Sequence, residues 1–344
     1  MNVLLRKVRF YYDDLLDTNK IKSFLLVIKN YNKLSAKKSW LIYVYTNPLI
    51  FFFLAIFTKI LILIKNKKLI NFFLEKKLFF STIRFLTVKE KIFVANTLKS
   101  YNNFDFALKE SFDKNLDVTN KLKELKTNGY CNLGKIFSDE DCDNFIKNLE
   151  NKKCFNNHGI LQSDGKPINF KLKEGKYYKS KYYCFLPNEC LTYDPVKNLL
   201  KNVKFLVDSY LNFKSHLYYC VTWFCPINDS GHHYVYKRHR DCDDWKHLQI
   251  SIYWNDIDKQ NGALSFYSKS HSSVFSKDSE FNKVLLTGRK GEVFLIDIYG
   301  VHQGNPVKER SRIITSFRFG KSFNKQTVVD GFVHTPANKG IKFD

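Results

Sequence analysis

Glycine is absent from the first hundred residues of this 344-residue chain, and Pro48 is the only proline there. Both residue types interrupt helices, so their scarcity predicts a helical segment over residues 1–100. Acidic residues are scarce as well: 19 lysines and arginines stand against 5 aspartates and glutamates, a net charge of +14. This excess indicates an anionic partner, a phospholipid surface more than nucleic acid. The other interpretation is a biased coding composition with no specific partner.

No CxxC pair occurs among the eight cysteines, and the chain is long enough to bury a core without disulfides. The cysteines therefore predict ordinary thiols in a reducing compartment. A secretory pattern is also missing, since Asp13, Asp14 and Asp17 interrupt the first twenty residues. We expect a cytoplasmic protein, with residues 40–64 as a candidate for peripheral or integral membrane association.

Residues 40–64 are the most apolar stretch and contain a single charge, Lys59. Pro48 can begin a helix, and Leu49 to Ile64 are nearly all Leu, Ile and Phe. Such a helix is about 24 Å long, shorter than the roughly 30 Å of a bilayer's hydrocarbon core. Three interpretations stay open: a transmembrane helix, a membrane-surface or re-entrant segment, and a buried helix.

The composition divides the rest of the chain into a polar connector over 101–120 and a second region over 121–344. At the start of that region Gly129 ends a predicted helix, and a short strand, Tyr130 to Leu133, follows. Ser138 and Asp141 then form the capping box of another helix. This region is therefore expected to begin with helices around one strand.

Beyond residue 180 the pattern is strand-like. The predicted strands, separated by turn-rich connections, are Leu217–Phe224, His247–Trp254, Ala263–Tyr267, Gly291–Ile298 and Arg312–Phe319. Many short strands of this kind indicate a sandwich or jelly roll, with the earlier helices packed outside. The predicted fold class is α+β.

His239-Arg240-Asp241 carries the first chemical signal. In an extended chain, residues two apart point to the same side, so His239 and Asp241 can aim at one point while Arg240 points away. A second histidine, His302, follows the strand at Gly291–Ile298. Two imidazoles and a carboxylate on one face of an iron ion leave three positions open, as in non-haem iron(II) enzymes that activate oxygen.

A possible cosubstrate anchor follows ten residues after His302. Arg312 can bind the distal carboxylate of 2-oxoglutarate through a bidentate fork that lysine would match poorly. Period-two alternation places Arg318 on the same strand face, and Arg310 lies nearby, so the three arginines compete for the role. Arg312 ranks first by spacing, and Arg310 and Arg318 are interpreted as a solvated basic rim.

The ordered set of motifs from residue 120 to 320 resembles the phytanoyl-CoA dioxygenase-like branch of the iron/2-oxoglutarate oxygenases. The matching pieces are His239-Arg-Asp241, Tyr253-Trp-Asn-Asp256, Asn261-Gly-Ala-Leu-Ser-Phe-Tyr-Ser-Lys-Ser-His271, Gly291-Glu-Val-Phe-Leu-Ile-Asp297, His302-Gln-Gly-Asn305 and the Arg312 strand. Where the family often has Pro-Gly-Ser-His, this chain has Ser268-Lys-Ser-His271. Residues 1–100 have no recognised counterpart.

The resemblance implies a double-stranded β-helix (jelly roll) core with flanking helices. It implies iron(II) bound by His239, Asp241 and His302, and 2-oxoglutarate held by Arg312. Relatives that halogenate lack the carboxylate found here at Asp241, so hydroxylation of a small-molecule or lipid-linked substrate is expected. The rival hypotheses are a non-catalytic jelly-roll binding protein and a membrane-associated scaffold.

Overall fold

The computed structural model describes residues 48–74, 82, 86–98, 117–150, 152–156, 167–169, 182–227, 236–241, 244–272 and 281–321. These residues fall into two compact units, one ending at Leu98 and the other beginning after it. Most of the connector predicted at 101–120, and residues 40–47 of the apolar stretch, lie outside the described part of the chain.

The first unit is helical over its described residues, as the sequence predicts. Its helices are α1 (Pro48–Ile64), α2 (Lys67–Leu74) and α3 (Val88–Thr97). Pro48 begins α1, where its missing N–H costs nothing. The single charge of the apolar stretch, Lys59, forms an ion pair with Glu90 of α3 at 2.6 Å. Within the described residues, no helix has the length and apolar character needed to cross a membrane.

The second unit begins with helices that the sequence predicts well. They are α4 (Val118–Asn128) and α5 (Asp139–Leu149), followed by α6 (Pro187–Leu191) and α7 (Asp194–Leu211). Gly129 ends α4 in the left-handed conformation at φ 85°, which only glycine adopts without strain. Ser138 and Asp141 form the predicted capping box at the start of α5. Both helix boundaries are therefore confirmed.

Helix α7 corrects the expectation of a strand-like pattern beyond residue 180. Its 18 residues bury one face, formed by Val196, Leu199, Leu200, Val203, Lys204, Leu206, Val207, Tyr210 and Leu211. These positions recur at three- and four-residue intervals, the period of a helix. Pro195 near the start and Asn212 in a left-handed cap mark the two ends. This helical period is visible in the local sequence, but the segment lies between stretches rich in strand-forming residues.

All strand pairs in the described residues are antiparallel. The strands are β1 (Tyr130–Lys135), β2 (Lys153–Asn156), β3 (Pro167–Asn169), β4 (Tyr183–Phe185), β5 (His216–Cys225), β6 (Leu248–Tyr253), β7 (Leu264–Tyr267), β8 (Lys283–Leu286), β9 (Glu292–Ile296), β10 (His302–Gln303) and β11 (Arg312–Gly320). One sheet has the order β1-β9-β6-β11-β5-β4-β2-β3, and a smaller sheet has the order β10-β7-β8. The six strands predicted from the sequence are all present, with ends shifted by one or two residues.

From β6 onward the chain passes back and forth between the two sheets. Strands β6, β9 and β11 belong to the large sheet, and β7, β8 and β10 to the small one. A buried cluster joins the two sheets through Tyr253, Phe266, Leu286, Phe294 and Ile296. Burying side chains of this size stabilises the fold by about 1.5–3 kcal/mol each. The described residues of the second unit therefore form an antiparallel, sheet-rich α+β fold with a buried cluster between the sheets.

Candidate metal centre

The backbone brings the two predicted histidines side by side. His239 lies in the segment before β6, and His302 forms the start of β10. Their backbones exchange two hydrogen bonds, His239 N–H to His302 O and His302 N–H to His239 O, both 2.9 Å long. Asp241 follows on the same side, and its N–H donates to the Ile298 carbonyl at 3.0 Å. These two hydrogen bonds add the pair His239 and His302 to the small sheet. They also fix the distance between the two histidine backbones.

The three side chains converge as the sequence predicts. One ligand-type atom from each of His239, Asp241 and His302 lies within 4.8 Å of the others. The Nε2 atom of His239 is 3.7 Å from Asp241 Oδ1, and the Nε2 atom of His302 is 3.9 Å from Asp241 Oδ2. Ligand–metal distances of about 2.0–2.2 Å are usual for imidazole and carboxylate. The cluster is therefore compact enough for all three groups to reach one ion.

The hydrogen bonds of the two imidazoles decide which nitrogen faces the cluster. His239 Nδ1 lies 2.8 Å from the Lys237 carbonyl, and His302 Nδ1 lies 2.9 Å from the Gly300 carbonyl. A carbonyl oxygen can only accept, so each Nδ1 carries the proton. In the neutral form of either ring, Nε2 then holds the lone pair and faces Asp241, which is the tautomer that a metal-binding histidine needs.

Arg240, between the two predicted ligands, points the other way. Its Nη1 donates to the Ser270 carbonyl at 2.7 Å and to the Tyr299 carbonyl at 2.8 Å. Ser270 follows β7 in the chain, and Tyr299 precedes β10. Arg240 thus fastens the His239–Asp241 segment to the turn that leads into His302, as expected from the alternation of an extended chain.

Electrostatics keep this cluster in a metal-binding protonation state. Loss of contact with water would raise the pKa of Asp241, but the positive charge of Arg318, helped by the nearby histidines, lowers that pKa to about 2. Burial disfavours the charged form of His302 and lowers its pKa to about 4, although Asp241 opposes the shift. At neutral pH the cluster therefore offers a carboxylate and a neutral buried imidazole.

Arg318 is not part of a solvated basic rim, which corrects the sequence interpretation. Its side chain is 13% exposed, and its Nη2 donates to Asp241 Oδ2 at 2.8 Å. Its Nε donates to Gln249 Oε1 at 3.1 Å, and the guanidinium lies 4.6 Å from the centre of the Tyr219 ring. Because Arg318 belongs to the large sheet, the cluster faces the space between the two sheets. Period-two alternation places Arg318 on the same strand face as Arg312, but it does not give the burial of that face.

Arg310 and Arg312 differ sharply in their surroundings. Arg310 is exposed and forms an ion pair with the exposed Asp258, as expected for a rim residue. Arg312 donates to the Gly262 carbonyl and, at 3.4 Å, to Cys225 Sγ, while its buried Nε has no hydrogen-bond partner. Among the described residues, no carboxylate pairs with Arg312. A half-buried guanidinium held by a carbonyl and a thiol retains its full positive charge for an anionic ligand.

Comparisons with known proteins identify no family. No protein-family model matches the chain, and no curated protein sequence matches it. Solved structures do show a distant likeness, and three examples follow. The non-heme alpha ketoglutarate dependent epimerase SnoN from nogalamycin biosynthesis is 13% identical with a TM-score of 0.43, over 59% of this chain and 81% of that one. EctD from S. alaskensis is 14% identical with a TM-score of 0.41, over 64% and 83%. HygX from Streptomyces hygroscopicus is 15% identical with a TM-score of 0.39, over 58% and 86%.

The groups bound in these similar structures are known. SnoN has been crystallised with Fe3+, alpha ketoglutarate and nogalamycin RO, and HygX with nickel, 2-oxoglutarate and hygromycin B. EctD has been crystallised with 2-oxoglutarate and 5-hydroxyectoine. The narrower resemblance to phytanoyl-CoA dioxygenases remains a prediction.

Proposed function

We propose that this chain is an iron(II)- and 2-oxoglutarate-dependent dioxygenase whose catalytic domain spans residues 121–344. The observation that carries the proposal is the convergence of two imidazole Nε2 lone pairs and one carboxylate within 4.8 Å. We further propose that the two antiparallel sheets form a double-stranded β-helix, because the chain crosses between them four times from β6 to β11, with the β7–β8 pair as one visit to the small sheet.

His239, Asp241 and His302 are the proposed ligands of the iron. Three ligands on one side leave positions for a chelating cosubstrate and for oxygen, as in a facial triad. The residues fit the ion, since both histidines have the required tautomer and Asp241 is ionised at neutral pH. When bound, iron and 2-oxoglutarate supply oxygen activation, with 2-oxoglutarate converted to succinate and carbon dioxide. These cofactors are consistent with the groups crystallised in SnoN and HygX.

Arg312 is proposed to hold the distal carboxylate of 2-oxoglutarate. It has a positive charge with no carboxylate partner among the described residues, and its Nε is buried without a hydrogen bond. A dicarboxylate reaching it would replace weak neutral acceptors by a charge-assisted pair. Arg310 is already paired with Asp258 at the surface, and Arg318 is already paired with Asp241. Of the three arginines, Arg312 alone is available for this task.

Arg318 is proposed to position Asp241. By donating to Oδ2, it leaves Oδ1 on the side of His239 and limits rotation of the carboxylate. The charge of Arg318 also keeps the carboxylate ionised when water is excluded. Contacts of this kind around a metal ligand tune its orientation and affinity.

Hydroxylation of a small-molecule or lipid-linked substrate is the proposed outcome. A carboxylate at Asp241 occupies the position that halogenating relatives leave to a halide, which favours hydroxylation over halogenation. The cosubstrate chemistry would be the same for other outcomes, such as the epimerisation named for SnoN. Succinate formation therefore tests the enzyme class without requiring knowledge of the substrate's fate.

The decisive experiment is an anaerobic titration of the purified protein with iron(II) and then 2-oxoglutarate. The expected result is a weak visible charge-transfer band from the chelate, lost in His239→Ala and weakened in Arg312→Ala. Arg310→Ala is the matched control and should retain the band. Circular dichroism establishes that each variant is folded.

The absence of a band in folded wild-type protein would overturn the proposal and favour a non-catalytic binding or scaffolding role. Succinate formation that survives Asp241→Ala and His302→Ala unchanged would overturn the assignment of the ligands.

A further inference from the structure

The first unit carries an exposed apolar stripe along α1. Ile56, Ile60, Leu63 and Ile64 are 40%, 45%, 77% and 56% exposed. At about 100° per residue they occupy an arc of about 100° on one side of the helix. The buried residues Thr58, Leu61 and Ile62 lie on the opposite side. A stripe of this length on an otherwise apolar helix indicates a surface that contacts something other than water.

Helix α2 also carries exposed apolar side chains. Phe72 is 64% exposed and Leu69 is 38% exposed, while Ile70 and Leu74 are buried. The side chain of Asn66 caps the start of α2 by accepting from the N–H groups of Lys68 and Leu69 at 3.0 and 3.2 Å. The two helices are thus joined by a tight turn, with exposed apolar side chains on both.

Three exposed lysines cluster at that turn: Lys65, Lys67 and Lys68. No aspartate or glutamate occurs from residue 48 to residue 74. Within the part of the chain that the structure describes, none of the three forms an ion pair. Lys67 and Lys68 stand in the first turn of α2, where the helix dipole disfavours positive charge. Their positive charges are therefore unfavourable for α2 alone, and this position indicates that they interact with an external anion.

We propose that these residues form a docking surface for an anionic phospholipid bilayer. The docking surface is defined as the apolar residues Ile60, Leu63, Ile64 and Phe72 with the basic residues Lys65, Lys67 and Lys68. The apolar side chains enter the boundary between headgroups and acyl chains, and the lysines lie at the level of the lipid phosphates.

The contacts of α1 favour this in-plane arrangement over insertion across the membrane. The 17 residues of α1 span about 26 Å, short of the roughly 30 Å hydrocarbon core. On its other face Thr58 donates a hydrogen bond to Thr82, and at the edge of the exposed stripe Lys59 forms an ion pair with Glu90. Over the part of α1 whose side chains the structure describes, one apolar face is therefore exposed and available to lipid.

The test is co-sedimentation of the full-length protein with vesicles of phosphatidylcholine and phosphatidylserine, compared with phosphatidylcholine alone. We expect binding to the mixed vesicles that weakens at high salt, because salt screens exposed charges. Lys65→Ala/Lys67→Ala/Lys68→Ala should lower the partition coefficient on the order of a hundredfold, since each lysine contributes about 1 kcal/mol near such a surface. Leu63→Gln/Phe72→Gln should lower it by at least about tenfold.

Two matched controls separate a local surface from general charge or hydrophobicity. Lys123→Ala/Lys126→Ala/Lys147→Ala removes three exposed lysines of α4 and α5, and Phe205→Gln/Ile227→Gln removes two exposed apolar side chains of the second unit. Both controls should sediment like the wild type.

Equal losses in the controls and the docking variants would overturn the proposal, as would a wild type that ignores mixed vesicles. Self-association without vesicles that Leu63→Gln/Phe72→Gln abolishes would assign the surface to a second copy of the chain instead. None of these readouts uses iron or succinate, so this proposal and the proposed enzyme function fail independently.

Discussion

Arg318 donates from Nη2 to Oδ2 of Asp241 across 77 residues of sequence, at a distance of 2.8 Å. The other carboxylate oxygen faces His239. Asp241 is therefore held between a fixed positive charge and the two imidazoles with which it is proposed to bind iron.

We expect Arg318→Met to weaken iron(II) binding on the order of tenfold at neutral pH, because the carboxylate loses its orienting partner. Arg318 is also the main influence that lowers the pKa of Asp241 to about 2 against desolvation. In the variant that pKa rises, so protons compete with the metal at a higher pH. The loss of iron(II) affinity relative to wild type should therefore grow as the pH is lowered from 7.5 toward 5.5.

Chelator competition at several pH values measures this difference, with Arg310→Met as the control. A deficit that does not change with pH would mean that Arg318 does not set the ionisation of Asp241.

Arg312→Ala is expected to raise the 2-oxoglutarate concentration needed for half-saturation by roughly 10- to 150-fold. This factor corresponds to the loss of a hydrogen bond between charged groups, which contributes about 1.5–3 kcal/mol. Arg312→Lys should also bind weakly, since an ammonium cannot form the bidentate fork. Titration of the iron-loaded protein, with the charge-transfer band as readout, gives these values. Arg310→Ala should match wild type, and a larger effect in Arg310→Ala than in Arg312→Ala would contradict the assignment.

A buried ion pair joins the segment that follows Asp241 to the end of β9. Lys246 and Asp297 are 3.2 Å apart and almost fully buried, and Tyr210 donates to the same carboxylate at 2.5 Å. We expect Asp297→Asn to lower the free energy of unfolding by about 3–5 kcal/mol, because it strands a buried ammonium. The exposed control Asp258→Asn, which removes the partner of Arg310, should cost about 1 kcal/mol or less.

The pH dependence of this pair has a definite sign. Burial would raise the pKa of Asp297, but Lys246 and further neighbours hold it below its usual value. The stabilisation is therefore complete above the unfolded-state pKa of about 3.9 and is lost as the pH falls through the lower folded-state value. Urea unfolding should give a constant cost of Asp297→Asn between pH 7 and about pH 5. A cost that disappears within that window would show that the pair is not ionised as described.

Gly129 and Gly134 provide a matched pair of glycines for separating backbone strain from a clash. Both are left-handed, at φ 85° and 84°. A Cβ on Gly129 would lie 2.5 Å from His271 Nδ1, whereas a Cβ on Gly134 would meet nothing within 4 Å. We expect Gly134→Ala to cost about 1–2 kcal/mol through φ alone, and Gly129→Ala to cost more.

The same denaturation measurement on both variants gives the difference. If the clash accounts for it, His271→Ala should reduce the cost of Gly129→Ala toward that of Gly134→Ala. Equal costs in the two single variants would mean that the histidine ring moves aside freely.

Local patterns predict much of this fold and of the candidate site. Alternation along Leu248 to Tyr253 predicts β6, and Gly129 and Ser138 predict helix ends, because each depends on neighbours in sequence. The spacing of His239 and Asp241 likewise follows from an extended backbone. Contacts between segments that are distant in the sequence produce no local sequence pattern of this kind. Alternation places Arg318 on the same strand face as Arg312, but the burial of Arg318 and its pairing with Asp241 depend on how the two sheets face each other.

Helix α7 shows why some elements are mispredicted from the sequence. Its apolar residues recur at the helical period, yet the aromatic and β-branched residues in the neighbouring segments favour strands. Tertiary packing decides between such conflicting local patterns. The sequence predicts the exposed position of Arg310 correctly, because a surface position needs no long-range information.

The reciprocal backbone hydrogen bonds between His239 and His302 have a consequence for how the proposed metal ion would bind. The separation of the two imidazoles is fixed by the peptide chain, and their ring orientation by the carbonyls of Lys237 and Gly300. An arriving ion consequently orders few side chains, so little conformational entropy is lost on binding. Stripping the ion with a chelator should leave the protein folded and able to reload, unlike small zinc domains that unfold without their metal.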